Sequence, residues 1–221
     1  MPGYYVEKLA AERLKQCYDL APERIRRYLE AEIRFVLDRL DEGALVLELG
    51  CGYGRVLQRL GEKCRVAAGI DTSAASLQMA RELLPDAGRF PLFEMNASAL
   101  GFRSGRFDAV VCIQNGLAAF NVDRHRVMAE AVRVARSGGT VLFSSYAERF
   151  WEERLAWFED QAEQGLLGEI DREATGDGVI VCRDGFRAGS VSEAEFAAMT
   201  AGMSSSIIEV DGSSLFCEIV K

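Results

Sequence analysis

The sequence predicts an α/β fold of the doubly wound kind, a mostly parallel sheet with helices on both faces. Three observations carry this expectation. A short apolar run at residues 44–49 is broken by three alternate glycines, Gly50, Gly52 and Gly54, and a helix-spaced pattern starts at Arg55. A second apolar run, 63–70, ends at Asp71, with Thr72 and Ser73 placed to cap another helix. Strand-like and helix-like segments then alternate down the chain to two closing runs around Asp211-Gly212, a hairpin signal.

The first of these units is a ligand loop by its chemistry. Strand, glycine turn and helix is the layout that aims unpaired backbone N–H groups at a small polar ligand, because glycine permits a sharp turn and close approach. The spacing selects among ligands. A dinucleotide loop wants G-x-G-x-x-G, but Arg55 stands three places after Gly52, and Glu48 lies two places before Gly50, giving E-x-G-x-G-x-G. A carboxylate at this strand end repels a pyrophosphate: two unit charges about 4 Å apart cost roughly 4 kcal/mol at an effective dielectric of about 20. The same carboxylate attracts a cation, and S-adenosylmethionine carries an ammonium and a sulfonium. In an open parallel sheet Asp71 lies at the neighbouring strand tip, where a carboxylate accepts from both hydroxyls of a ribose.

With these residues in order, the chain resembles the class I S-adenosylmethionine-dependent methyltransferases, most strongly over residues 46–146. The resemblance implies a three-layer architecture, a seven-stranded and mostly parallel sheet with an antiparallel last strand, N-terminal helices and an inserted lid after the fifth strand. It implies one methyltransferase domain over 1–221: a helical cap at 1–42, a cofactor-binding core at 43–146, the lid at 147–191 and a closing helix and hairpin at 192–221. Glu48 and the backbone of Gly50, Cys51, Gly52 and Gly54 would hold the methionine end of the cofactor, Asp71 with Thr72 the ribose, and Asn96 with Ala97 the adenine. The family usually has an acid where Asn96 stands; an amide oxygen also accepts from an exocyclic amine, the lesser alternative being a local turn, which Asn makes readily. Gln114, at the next strand tip, would sit near the methyl group, with Asn115-Gly116 open to the same role or to plain turn chemistry. S-adenosyl-L-homocysteine is the product such an enzyme releases.

Composition bounds the alternatives. At 221 residues with 49% hydrophobic and 27% charged residues, the chain can bury a sizeable core. Its net charge of -8 disfavours a sequence-independent grip on nucleic acid or on an anionic membrane, and no D/N-P-P-Y signature of base methylation follows the fourth strand. Six cysteines without a C-x-x-C pair have the usage of reduced thiols, and no signal segment or apolar run of about 20 residues is present, which points to the cytoplasm. Nothing has the spacing of a metal site.

The remaining segments supply walls and lids. Residues 4–18 and 22–40 read as two amphipathic helices, the second with an apolar stripe from Ile25 through Tyr28, Leu29, Ile33, Val36 and Leu37 to Leu40. Tyr4, Tyr5 and Tyr18 are candidates for a cap over the cofactor. Arg24, Arg26 and Arg27 interleave with Glu23, Glu30 and Glu32, as on a solvated face. Further helices are expected at 74–84, 122–135, 148–165 and 192–201, and strands at 90–95, 109–113, 140–144, 205–210 and 214–220. Runs 179–182 and 186–188 flank Arg183-Asp184-Gly185 as a short hairpin inside the insertion. The aromatics of 148–165, among them Trp151, Trp157 and Phe158, either shape an acceptor pocket or extend the core.

No catalytic residue is legible. Methyl transfer is an in-line displacement on a carbon already activated by sulfur, so alignment and exclusion of water are the protein's main tasks. His125, the sole histidine, falls at a helix start among Asp123, Arg124 and Arg126, away from any strand tip. Cys51 reads as a backbone contact rather than a nucleophile. The reading is therefore a methyltransferase for a small-molecule acceptor, with oligomeric state unspecified. Its alternatives are a non-catalytic cofactor-binding partner of another protein and, disfavoured by Glu48 and the glycine spacing, an NAD-type oxidoreductase.

Overall fold

A computed structural model describes residues 3–221. Its central sheet is built from β1 (Leu45–Leu49), β2 (Val66–Asp71), β3 (Leu92–Glu94), β4 (Phe107–Cys112), β5 (Ala135–Tyr146), β8 (Ser205–Val210) and β9 (Ser214–Val220). Their spatial order is β3-β2-β1-β4-β5-β9-β8; the first five run parallel, and β9 is antiparallel to both of its neighbours. The order reverses between β1 and β4, so a crevice opens outside the carboxyl ends of those strands.

Alternation along β1 shows how the sheet is held. Leu45, Leu47 and Leu49 enter one apolar cluster with α7 (Arg124–Val134) and α9 (Glu193–Met199). Val46 enters the opposite cluster with α3 (Glu23–Leu37), α4 (Arg55–Leu60) and α5 (Ala74–Leu83). A strand buried on both faces reads as a continuous apolar run, which is why residues 44–49 show no polar alternation. Glu48 is the exception, and it shares the face of Val46.

A third cluster lies beyond the sheet. It joins Cys17, Ile25 and Tyr28 of the N-terminal helices to Phe150, Trp157, Phe158, Ile180 and Phe186 of the segment that follows β5. That segment contains α8 (Trp151–Glu163) and a two-stranded antiparallel hairpin, β6 (Ile180–Val181) and β7 (Arg187–Ala188). Arg13 Nε donates to Leu166 O at 3.0 Å and Trp157 Nε1 to Cys17 O at 3.1 Å, so polar bonds fasten the same junction. Trp157 and Phe158 are buried in this cluster and extend the core.

Several expected boundaries change. The helix expected over 4–18 is two, α1 (Tyr4–Glu7) and α2 (Ala11–Asp19); Ala11 takes a positive φ of 49° and its N–H is captured by Ser76 Oγ at 3.0 Å. The fifth strand starts at Ala135 rather than 140, because Ala135 pairs with Phe107 and a bulge absorbs the Ser137-Gly138-Gly139 stretch. A short helix, α6 (Gly116–Ala119), follows β4 where only a turn is expected. Glu32, read as part of a solvated face, is fully buried.

Candidate active site

A cleft of about 630 Å³ opens at the carboxyl ends of β1, β2 and β4. Glu48, Gly50, Cys51, Gly52, Asp71, Thr72, Asn96, Ala97 and Gln114 all line it. Gly54 lies behind the wall as the left-handed residue at the start of α4, with φ 88°. The structure therefore brings together residues from four strand tips spaced over nearly seventy positions of sequence.

The glycine loop works differently from the sequence expectation. Its N–H groups are satisfied inside the protein: Gly50 and Cys51 donate to Ile70 O, each at 2.9 Å, Gly52 to Asp71 Oδ2 at 2.8 Å and Gly54 to Cys51 O at 2.9 Å. The expectation of unpaired donors is corrected by this bonding to β2, which holds the loop rigid. What the glycines provide is space and backbone freedom. A Cβ at Gly50, whose φ is 76°, would stand 2.5 Å from Phe120 Cε1, and φ at Gly52 is also positive.

Glu48 is the electrostatic centre of the cleft. It is 5% exposed and its Oε2 has no hydrogen-bond partner among the described residues. Burial pushes its carboxyl up to about 8, with Arg55 acting in the opposite direction and Asp71 adding to the rise. Such an oxygen fits a cationic ligand, since an unpaired buried acceptor is what a donated ammonium or an adjacent sulfonium would satisfy. Asp71 accepts from Gly52 N and from Ser73 N, each at 2.8 Å, and burial raises its carboxyl as well. It thereby locks the loop in addition to facing the cleft.

Arg55 is a site residue that the sequence reading passed over. Its guanidinium stacks 4.2 Å from the Tyr18 ring centroid and donates to Gln114 Oε1, while its Nε is buried without a partner. The signal was its place, the first helical residue after the third glycine. Glu32 is the second omission: Oε2 accepts from Gln114 N at 2.7 Å and Ser144 Oγ at 2.8 Å, and Oε1 accepts from Ser214 Oγ at 2.6 Å. Burial moves its carboxyl up to about 7 against those bonds. Its bond to Gln114 N, with the Asn115 side chain held by Gly189 and Ser145, fixes Gln114 and Asn115 in consecutive left-handed conformations, φ 58° and 64°, an arrangement non-glycine residues adopt only when the surroundings enforce it. Ile25, Tyr28, Leu29 and Ile33 share its helix face, so the helical period already pointed Glu32 inward.

Asn96 makes the local turn: its Oδ1 accepts from Ser98 N at 2.9 Å and Ser98 Oγ at 2.8 Å. These are the bonds of the local turn that the sequence also allowed, and among the described residues they leave the amide N–H groups and the Ala97 backbone free at this corner. Asn115 is drawn inward, donating from Nδ2 to Gly189 O and accepting from Ser145 Oγ, each at 2.9 Å. Burial drives the Cys51 thiol well above its usual range, so it is no ready nucleophile. His125 is exposed, with its backbone N–H donating to the Asp123 side chain. Tyr4, Tyr5 and Tyr18 line the cleft, as do Val179, Gly185, Arg187 and Gly189 of the insertion. The α8 aromatics do not. No group of metal-binding side chains occurs among the described residues.

An open sheet with a buried acid, a glycine turn and a second acid at adjacent carboxyl ends defines a Rossmann-like protein built for a cationic nucleoside ligand. Comparison with known proteins agrees. A family described as a methyltransferase domain matches residues 46–139. Phosphatidylethanolamine N-methyltransferase of Cereibacter sphaeroides is 36% identical over 110 residues, 48% of this chain and 53% of that protein. The tRNA (carboxymethyluridine(34)-5-O)-methyltransferase alkbh8 of Xenopus tropicalis is 32% identical over 113 residues, 50% of this chain and 17% of that one. The chain thus spans about half the length of the first and a smaller part of the second. The crystal structure of PH0226 protein from Pyrococcus horikoshii OT3 shares the fold, with a TM-score of 0.70 and 17% identity over 96% of this chain and 99% of that one. Residues 46–139 therefore match a methyltransferase domain, and the sheet around them has the fold that S-adenosylmethionine-dependent methyltransferases of known structure share.

Proposed function

We propose that this chain is an S-adenosylmethionine-dependent methyltransferase acting on a small-molecule acceptor in the cytoplasm. The observation that carries the reading is the unpartnered, buried Glu48 Oε2 beside Arg55. A carboxylate and a guanidinium flanking one glycine turn match the two charged ends of an amino acid, ammonium against Glu48 and carboxylate against Arg55. Asp71 with Thr72 receives the ribose, and Ala97 with the Asn96 amide lines the adenine end. The bound cofactor supplies a methyl carbon made electrophilic by its sulfonium. The protein's share is alignment: Gln114, pinned by Glu32 and Arg55, fixes the floor where the acceptor meets that carbon, while α1, α2 and the β6–β7 hairpin exclude water. The insertion and the N-terminal helices are read as the lid over a pocket sized for a small molecule. The acceptors named for the relatives, a phospholipid and a tRNA, differ in class, so the enclosure of this cleft and the net charge of -8 are what favour a small acceptor over nucleic acid. The cytoplasmic assignment is supported by six cysteines that are all free and buried.

Calorimetric titration with S-adenosylhomocysteine tests the reading. Micromolar binding is expected, and absence of binding at millimolar concentration would overturn it. Asp71→Ala should weaken that binding by more than about tenfold, having removed charge-assisted bonds worth roughly 1.5–3 kcal/mol each. Because Asp71 also holds the loop, Asp71→Asn is the companion variant, and unchanged affinity in both would sink the ribose assignment.

A further inference from the structure

Apart from Arg55, which stands beside Glu48 and faces the cofactor's carboxylate in the reading above, the cleft is electrically divided. Its two acids, Glu48 and Asp71, stand at the tips of β1 and β2. The opposite side, over β4 and β5, carries arginines: Arg124 at the start of α7 and Arg187 in β7. The segment after Arg187 is fastened there, since Gly189 O accepts from Asn115 Nδ2 at 2.9 Å and Val191 N donates to Ser145 Oγ at 2.7 Å. Arg124 is neutralised by Glu195 at 3.0 Å. Among the described residues Arg187 has neither an ion pair nor a side-chain hydrogen bond.

A second cation stands behind this wall. Arg154 is 1% exposed, yet its N–H groups go to the carbonyls of Gly178 at 3.0 Å, Ala188 at 2.6 Å and Gly189 at 3.0 Å, and no carboxylate pairs with it among the described residues. Its charge acts on Tyr5, a residue of the cleft wall. A buried guanidinium without a counter-ion is unfavourable unless an anion stands near. In a chain of net charge -8, the exposed Arg187, left without an acid on this side of the cleft and backed by the buried charge of Arg154, defines what that side receives.

The same cleft offers no proton acceptor for that side. No histidine or lysine lines it, and the hydroxyls of Tyr4, Tyr5, Tyr18 and Tyr53 are all shifted upward by burial. Cys51 is shifted the same way, and both acids serve the cofactor in the reading above. An acceptor whose nucleophile is already ionised at neutral pH needs no base.

We propose, resting on the cofactor reading above, that the acceptor is a carboxylic acid with an apolar body, methylated on its carboxylate oxygen, with Arg187 recognising the anion. An oxygen lone pair forms the new O–CH₃ bond as the C–S bond breaks. The electron pair of that bond stays on sulfur, the sulfonium becomes a neutral thioether, no proton moves, and the product is a methyl ester. Tyr4, Tyr5, Val6, Leu9 and Val179 provide the apolar wall for the body of the acid.

The protein saturated with S-adenosylhomocysteine is titrated with 4-phenylbutyrate, 4-phenylbutylamine and 4-phenylbutanol. The carboxylate should bind at least about tenfold more tightly than the other two, in keeping with a charge-assisted bond. Arg187→Gln should erase that preference, Arg187→Lys should keep much of it, and neither should alter affinity for S-adenosylhomocysteine. With labelled methyl donor and a set of alkyl and arylalkyl carboxylates, label should appear in a form released by mild alkali. Equal or tighter binding of the amine or alcohol, no binding of any probe, an undiminished preference in Arg187→Gln, or no alkali-labile product across the set would overturn the proposal. Failure of S-adenosylhomocysteine itself to bind would strike the cofactor reading first and is seen separately.

Discussion

Glu48 sets two energies against each other. With its carboxyl raised to about 8, ionising it at pH 7 costs about 1.4 kcal/mol. A unit positive charge about 4 Å away returns roughly 4 kcal/mol at an effective dielectric of about 20, so the cation wins and binding expels the proton. The affinity for S-adenosylhomocysteine should therefore rise from about pH 6 toward about pH 8. Calorimetry in buffers of different ionisation enthalpy should detect close to one proton released per binding event near pH 7. Glu48→Gln should bind more weakly and release none. Proton release that persists in Glu48→Gln would assign it to another group. The residue's identity was plain in the motif; its protonation was not, because that follows from burial by α3 and α4.

At the scale of elements, the insertion after β5 depends on one side chain. Arg154 of α8 donates to carbonyls on both arms of the β6–β7 hairpin and lies 4.4 Å from the Tyr146 ring centroid, so helix, hairpin and strand end meet on it. Arg154→Met keeps the packing volume but takes a donor from the carbonyls of Gly178 and Ala188, Gly189 O keeping Asn115 Nδ2, while removing a costly buried charge. The expected net loss is about 2–4 kcal/mol. Hydrogen exchange should accelerate over residues 178–189 while β1, β2 and β4 stay protected. Uniform acceleration along the chain would show that the insertion and sheet unfold as one. The hairpin was legible from Asp184-Gly185 between two β-branched and aromatic runs. The arginine's role was not, because an Arg at a helix position among glutamates reads as solvent-facing until the opposing elements are placed.

For the molecule as a whole, Glu32 and Glu48 give the ligand-free protein an unusual pH profile. Both carboxyls lie above their ordinary value of 4.5, at about 7 and about 8, so the folded state holds more protons than the unfolded state across that interval. Their contribution to stability is complete below about pH 4.5 and is lost as pH rises through about 7 and 8. Glu30, Asp108, Glu130 and Glu195 are shifted downward, Glu30 and Glu130 chiefly by bonds from Arg59 and Arg133, and their contribution is lost instead as pH falls into the acid range. The melting temperature without ligand should thus be highest near about pH 5 and decline toward pH 8. The double variant Glu32→Gln, Glu48→Gln should flatten the decline. A decline of the same steepness in that variant would exclude these two groups as its source.

The sequence alone determined the alternation of strands and helices, the glycine loop, the acids at 48 and 71 and the closing hairpin, because each rests on periodicity or turn chemistry within a dozen residues. It also carried the resemblance that named the cofactor. Only the tertiary structure decided that the N–H groups of Gly50, Cys51 and Gly52 are spent on β2, that Asn96 turns to Ser98, and that Glu32 and Arg55 fasten Gln114 from two different helices. The same is true of the division of charge across the cleft. These depend on which elements lie side by side, and a contact between residues separated by a hundred positions leaves no local pattern from which it can be read.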